Sequence, residues 1–170
     1  MRRPEAGDRA ERGQALVEFA FAFPMLLVLM FAVIDFGRAS FTYTSLASGT
    51  AEMARQMSIP GTSNAGAIAA FNNGNVAMAG SNPATDKVVV TVYDDHNAQQ
   101  GTQTCSLPLR PSTCTMPARV NGAGAAYRGG YVVVTATSTF VFIPPLRGPL
   151  GIGYYEPKVS LQATALASIG

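Results

Sequence analysis

The amino-acid sequence predicts an α+β fold in which one long N-terminal helix packs on a small antiparallel β-sheet. Three observations carry that expectation. Phe19 to Ile34 is a run of sixteen uncharged, almost wholly apolar residues. From Phe36 to Met57, apolar positions recur at alternating spacings of three and four, the repeat of a helix with one buried stripe. After residue 58 the chain turns Gly- and Pro-rich, with thirteen of its seventeen Gly and nine of its eleven Pro there. Between those breakers lie β-branched and alternating segments that read as strands.

Composition narrows the function classes. The chain has 170 residues, room for one domain or a small domain plus an anchor. Charged residues make up 13% of it and hydrophobic ones 48%, the reverse of a disordered chain. Lys and Arg total 12 against 10 Asp and Glu, without the clustered basic excess of a nucleic-acid binder. A mean hydropathy of +0.18 is high for a water-soluble protein, and four of the nine Phe lie in the Phe19–Ile34 run.

Taken in order, the first element is a short polar stretch holding Arg2, Arg3, Arg9 and Arg12, with Glu5, Asp8 and Glu11. Four basic residues precede the apolar run and only Arg38 closely follows it. That asymmetry predicts a cytoplasmic N-terminus and an outer remainder. Ala15 to Ile34 counts twenty residues, a helix of about 30 Å and long enough to span a bilayer. Glu18 is the one acid inside that count. Beyond the span, Phe36, Ala39, Tyr43, Leu46, Thr50, Met53 and Met57 form the stripe, while Arg38, Glu52 and Arg55 fall off it. Ile59-Pro60-Gly61 is the stop signal. A continuous helix over residues 14–58 is then on the order of 65 Å long, with its membrane half at about 15–34 and its amphipathic half at 36–57.

Residues 59–170 are expected to form an outer α+β domain. A short helix is expected over 65–71, capped by Ser63 or Asn64 and ended at Asn72-Asn73-Gly74. Three strands are expected: 87–94, β-branched throughout, and 131–142 and 159–169, each apolar on one face. They leave two irregular loops, at about 95–130 and 143–158. Cys105 and Cys114, the only cysteines, fall in the first of these with eight residues between them. An even count outside the cytoplasm predicts a disulfide, and closing so small a loop stabilises by about 2.5–3 kcal/mol. Asp94-Asp95-His96 at a strand end reads as a solvated turn. Asp35-Phe36-Gly37 lacks every companion of a kinase motif. No Ser/His/Asp or Cys/His set, zinc-ligand spacing or dinucleotide fingerprint is present, so neither enzyme activity nor a cofactor is expected.

The junction Arg12-Gly13-Gln14-Ala15-Leu16-Val17-Glu18-Phe19 carries the most specific signal. A basic leader, a Gly, four residues, a Glu and a long apolar helix resemble the prepilin-peptidase site of type IV pilin-like proteins. The run onward through Pro24-Met25-Leu26-Leu27 to Ile34-Asp35-Phe36-Gly37-Arg38 resembles the TadE-like family, pilin-like minor components of the tight-adherence (Flp, type IVb) pilus system. The resemblance covers about residues 12–58. It implies a pilin-like fold and a leader at 1–13 cleaved between Gly13 and Gln14 by prepilin peptidase. It also implies that Glu18, beside Phe19, pairs with the N-terminal amine of a neighbouring subunit during assembly. Partners would be other pilin-like subunits and inner-membrane pilus assembly proteins, at the bacterial inner membrane or in the pilus itself.

The residues leave other readings of the arm open. It also fits a cleaved secretory signal, although no small-residue cleavage site follows its long apolar core. It equally fits an uncleaved anchor presenting an outer binding module, with the 95–130 loop as its contact surface.

Overall fold

The computed structural model describes residues 6–59, 61–75, 84–117, 129–142 and 158–169. The expected loop at 143–158 and the far part of the 95–130 loop lie outside them, save Lys158 and the residues from Gly129. The chain divides into two compact units, one of residues 1–38 with 142–156 and one of residues 39–141 with 157–170.

In the first unit the described residues from 6 to 38 are helix. Helix α1 runs Ala6–Ser58 and so begins before the expected start at residue 14. Residues 6–12 (AGDRAER) contain Ala, Glu and Arg, all strong helix formers. Pro24 lies inside the helix without ending it. From Leu16 to Ile34 the large apolar side chains are mostly exposed.

The second unit is built on a four-stranded antiparallel sheet of order β2-β1-β3-β4, with β1 Lys87–Tyr93, β2 Gln99–Ser106, β3 Tyr131–Val141 and β4 Lys158–Ser168. Strand β1 pairs Val90 with Gln103 of β2 and Val90 with Val134 of β3. Strand β3 pairs Val134 with Ala165 of β4. Strand β2 corrects the expectation of an irregular loop from residue 95. Its sequence QQGTQTCS has no apolar alternation, because as an edge strand it is largely exposed and held mainly by its ladder to β1.

One face of the sheet is covered. Val88, Val90 and Val92 of β1 and Val132, Val134 and Ala136 of β3 meet Leu46, Met53, Ala54 and Met57 of α1. Helix α2, Asn64–Gly74, adds Ala67, Ile68 and Phe71. Ser63 caps it, its hydroxyl accepting from the Gly66 N–H at 3.1 Å, which satisfies one of the free first-turn donors. Burying each large apolar side chain contributes about 1.5–3 kcal/mol. Helices α1 and α2 cross where glycine meets glycine: a Cβ on Gly74 would lie 2.8 Å from the Gly49 Cα. Two buried hydroxyls near this crossing are satisfied, Thr50 donating to the Ala47 carbonyl at 2.9 Å and Ser45 to the Asn75 side-chain oxygen at 3.0 Å.

Candidate functional site

The residues that the sequence marks for function fall into three places. Gly13 and Gln14 lie within the helical backbone of α1. Glu18 follows one turn later on an exposed, apolar stretch. Among the described residues it makes no hydrogen bond or ion pair. Phe19 stacks on Phe23 one turn away, ring centroids 5.5 Å apart, a spacing that puts both rings on one helix face. A carboxylate on such a surface needs neutralisation or an opposite charge if its surroundings are lipid. Its chemistry is that of an ion-pair acceptor, since no His, Cys or second acid is near it in sequence.

At the other end of the apolar run, Arg38 donates from Nη1 to the Asp35 Oδ1 at 3.0 Å. Asp35 is 5% exposed. The helical spacing of three permits this contact.

The packing stripe is only partly as expected. Leu46, Met53 and Met57 lie in the core, whereas Phe36 and Tyr43 are 73% and 48% exposed. The covered face of α1 in the second unit starts at Ser45 and Leu46, where Asn75 and Phe71 of the α2 end come against it. Helical periodicity identifies a face but not how far along the helix a neighbour extends.

Cys105 and Cys114 are joined in a disulfide with Cα atoms 5.5 Å apart. The loop it closes is anchored to the domain: Leu107 and Leu109 are buried in the core. Asn64 of α2 donates to the Cys114 carbonyl and accepts from the Met116 N–H, both at 2.9 Å. Asn72 donates to the Leu109 carbonyl at 3.2 Å. Sequence reasoning missed both asparagines as loop anchors, because side-chain contacts across 37 to 52 positions leave no local signal.

It missed Asp86 as well. This buried acid accepts from the Thr139 N–H of β3 at 2.8 Å and from the Thr85 hydroxyl at 3.1 Å. Its side chain carries the β1–β3 ladder one bond past Lys87. Asp94 and His96 occupy the β1–β2 turn, where Asp94 accepts backbone bonds from His96 and Ala98. Among the described residues no group of three His, Cys, Asp or Glu is placed to hold a metal ion.

The family model described as TadE-like protein matches residues 13–55. Over that segment the chain is similar to this family. The match opens on Gly13, contains Glu18 and the Asp35–Arg38 pair, and ends within the packed part of α1. It takes in about a quarter of the chain, the part that holds the helix and not the sheet. No curated protein and no solved structure matches the chain. Among the described residues one helix, α1, is long and apolar enough to cross a membrane, which fits a single-pass anchor.

Proposed function

We propose that this chain is a minor pilin-like subunit of a tight-adherence pilus system, cut by prepilin peptidase after Gly13 and acting in pilus priming or assembly. The observation that carries this reading is the TadE-like match beginning at Gly13, with Glu18 one turn and a half further on an exposed apolar helix. Cleavage there creates a positively charged amine on Gln14, about 6 Å along the helix from Glu18. A neighbouring helix displaced by that distance brings its amine to this carboxylate. In a low-dielectric setting the attraction of such a pair far exceeds its worth in water. Removing residues 1–13 also takes away four basic and three acidic residues, leaving 8 against 7. The outer domain then stands outside the inner membrane, where an oxidising compartment suits the Cys105–Cys114 bond.

N-terminal sequencing of the protein recovered from the cell envelope tests the reading. A start at Gln14 is expected; an intact Met1, or a start near Ser40, overturns it. Glu18→Ala should leave membrane insertion and cleavage intact while pilus number falls, and unchanged piliation would remove the assembly role of Glu18.

A further inference from the structure

The sheet of the second unit ends in two open edges, β2 on one side and β4 on the other, and among the described residues no strand lies against either. Folded domains usually blunt such edges with charge, Pro or a bulge, because a bare row of N–H and C=O groups templates another strand. Here Gln99–Ser106 carries no charge and no Pro, and neither does the stretch from Val159 to Ser168. The ladder of β4 to β3 runs through eleven pairs without a register shift, and β2 shifts only at its start, beside Tyr93. We propose that these two edges bind each other between copies of this chain. Strand β4 of one copy adds to β2 of the next, head to tail, so that successive sheets run on as one.

Strand direction fits this pairing. Each neighbouring pair in the sheet is antiparallel, so β4 runs opposite to β2. A copy shifted sideways in the same orientation therefore brings its β2 antiparallel to the β4 of its neighbour. Backbone polarity agrees. The Leu107 N–H bonds the Asp86 carbonyl and the Ile169 N–H bonds the Gly130 carbonyl. The alternation of an antiparallel ladder then turns the backbone groups of Thr102 and Thr104 in β2, and of Gln162 and Thr164 in β4, toward the open edges. These four side chains lie on the exposed face of the sheet. There Thr102 already donates to the Thr91 hydroxyl at 3.1 Å, and the Thr135 and Thr164 hydroxyls are bonded at 3.2 Å. Polar side chains facing each other across the junction continue that pattern.

The helix rules against either edge pairing with itself. Joining β4 to a second β4 antiparallel needs a twofold axis perpendicular to the sheet. Leu46, Met53 and Met57 lay α1 along the covered face for about 16 Å, so such an axis reverses its direction in the second copy. On the reading of α1 as a membrane span, on which this inference rests, both helices enter one membrane and run the same way. A parallel twofold pairing instead sets the covered face of one sheet beside the exposed face of the other. Head-to-tail addition avoids both conflicts, and such heterologous contacts grow into rows or rings. The step from copy to copy is about 19 Å, the width of four strands. One short ladder is weak in dilute solution, and confinement in a membrane supplies the effective concentration that it needs.

Energy transfer between full, uncleaved chains, sparsely reconstituted in vesicles of dioleoyl phosphatidylcholine and phosphatidylglycerol, tests the contact. Donor or acceptor dye is attached at Ala10→Cys, while Cys105 and Cys114 are tied up in their disulfide. Thr104→Pro and Thr164→Pro each remove one outward N–H from one edge and spare the ladder inside the sheet. Parent chains are expected to transfer energy strongly, and each proline variant alone to fall to the level of random mixing. Donor-labelled Thr104→Pro mixed with acceptor-labelled Thr164→Pro should regain transfer, since an intact β4 then meets an intact β2. Transfer that persists in either variant alone, a mixture that regains none, or a parent that shows none would each overturn the proposal. Should near-ultraviolet circular dichroism show a proline variant unfolded, Thr104→Lys and Thr164→Lys set a charge beside the same edges and give the same comparison. Flotation of the vesicles after alkaline extraction keeps the two readings apart. A parent that floats without transfer overturns the edge contact alone, whereas one left in the aqueous phase overturns the membrane span as well.

Discussion

Asp94 gathers three hydrogen bonds on one carboxylate at the β1–β2 turn. Its Oδ1 accepts from the Ala98 and His96 N–H groups at 2.7 and 3.0 Å, and its Oδ2 from the Gln100 amide at 2.6 Å. The Ala98 bond, joined by those of Gln100 and His96 and the nearby imidazole, holds the carboxyl below its ordinary value against a smaller desolvation effect. Asn97 completes the turn in the left-handed region at φ 61°, which asparagine tolerates. A lowered folded pKa stabilises the native state above the unfolded value of about 3.9 and loses that contribution as pH falls through the folded value. Side-chain NMR titration should therefore place the Asp94 midpoint below about 3.9. Asp94→Asn should cost stability at neutral pH, with the difference from the parent closing as pH falls through the Asp94 midpoint. A difference that stays constant with pH would show that the charge is not what the turn uses. The turn character of Asp94-Asp95-His96 is legible in the sequence, since these residue types compete locally for backbone bonds. Asp86 is not, because its partner Thr139 is fifty-three positions away.

At the scale of elements, α1 and α2 approach until backbone meets backbone. A Cβ on Gly74 would stand 2.8 Å from the Gly49 Cα and 3.0 Å from its nitrogen, and one on Gly49 would stand 3.0 Å from the Phe71 carbonyl oxygen. None of those obstacles is a flexible side-chain end. Gly74→Ala gains at most about 1 kcal/mol of helix propensity against about 1–3 kcal/mol for overpacking a tight contact. The net expectation is destabilisation by about 1–2 kcal/mol, read as a lowered midpoint when the near-ultraviolet circular dichroism of the chain in detergent is followed on heating. An unchanged or raised midpoint would mean that the helices separate at little cost. Strand β2 shows the limit of pattern reading at this scale. An edge strand with polar side chains is specified by its ladder partner β1 and by the Cys105–Cys114 bond, neither of which is a periodicity. Strands β1 and β3 are legible because alternate residues on one face meet the core and select apolar types.

For the molecule as a whole, the division near residue 38 separates two kinds of surface. From Leu16 to Ile34 the large apolar side chains are mostly exposed, whereas the second unit contains the buried cluster of Leu46, Met53, Phe71 and the β1 and β3 valines. A chain beginning at Ala39 keeps that cluster and the disulfide and loses the apolar run. It is expected to be soluble without detergent, monodisperse on gel filtration, and folded by near-ultraviolet circular dichroism. Aggregation or loss of that signal would show that the first unit completes the fold. What the sequence determined by itself was the membrane-length helix, its charge asymmetry, the Gly13–Glu18 spacing and the strands β1, β3 and β4. All of these are local, written in runs, spacings and alternation within about twenty residues. Only the tertiary structure decided that the covered face of α1 in the second unit opens at Ser45 and Leu46 and excludes Phe36 and Tyr43. It likewise decided that residues 99–106 complete the sheet, and that Asn64, Asn72 and Asp86 hold distant backbone in place. Those outcomes depend on which surface arrives opposite a residue, and short-range composition carries no record of a neighbour brought in from fifty positions away.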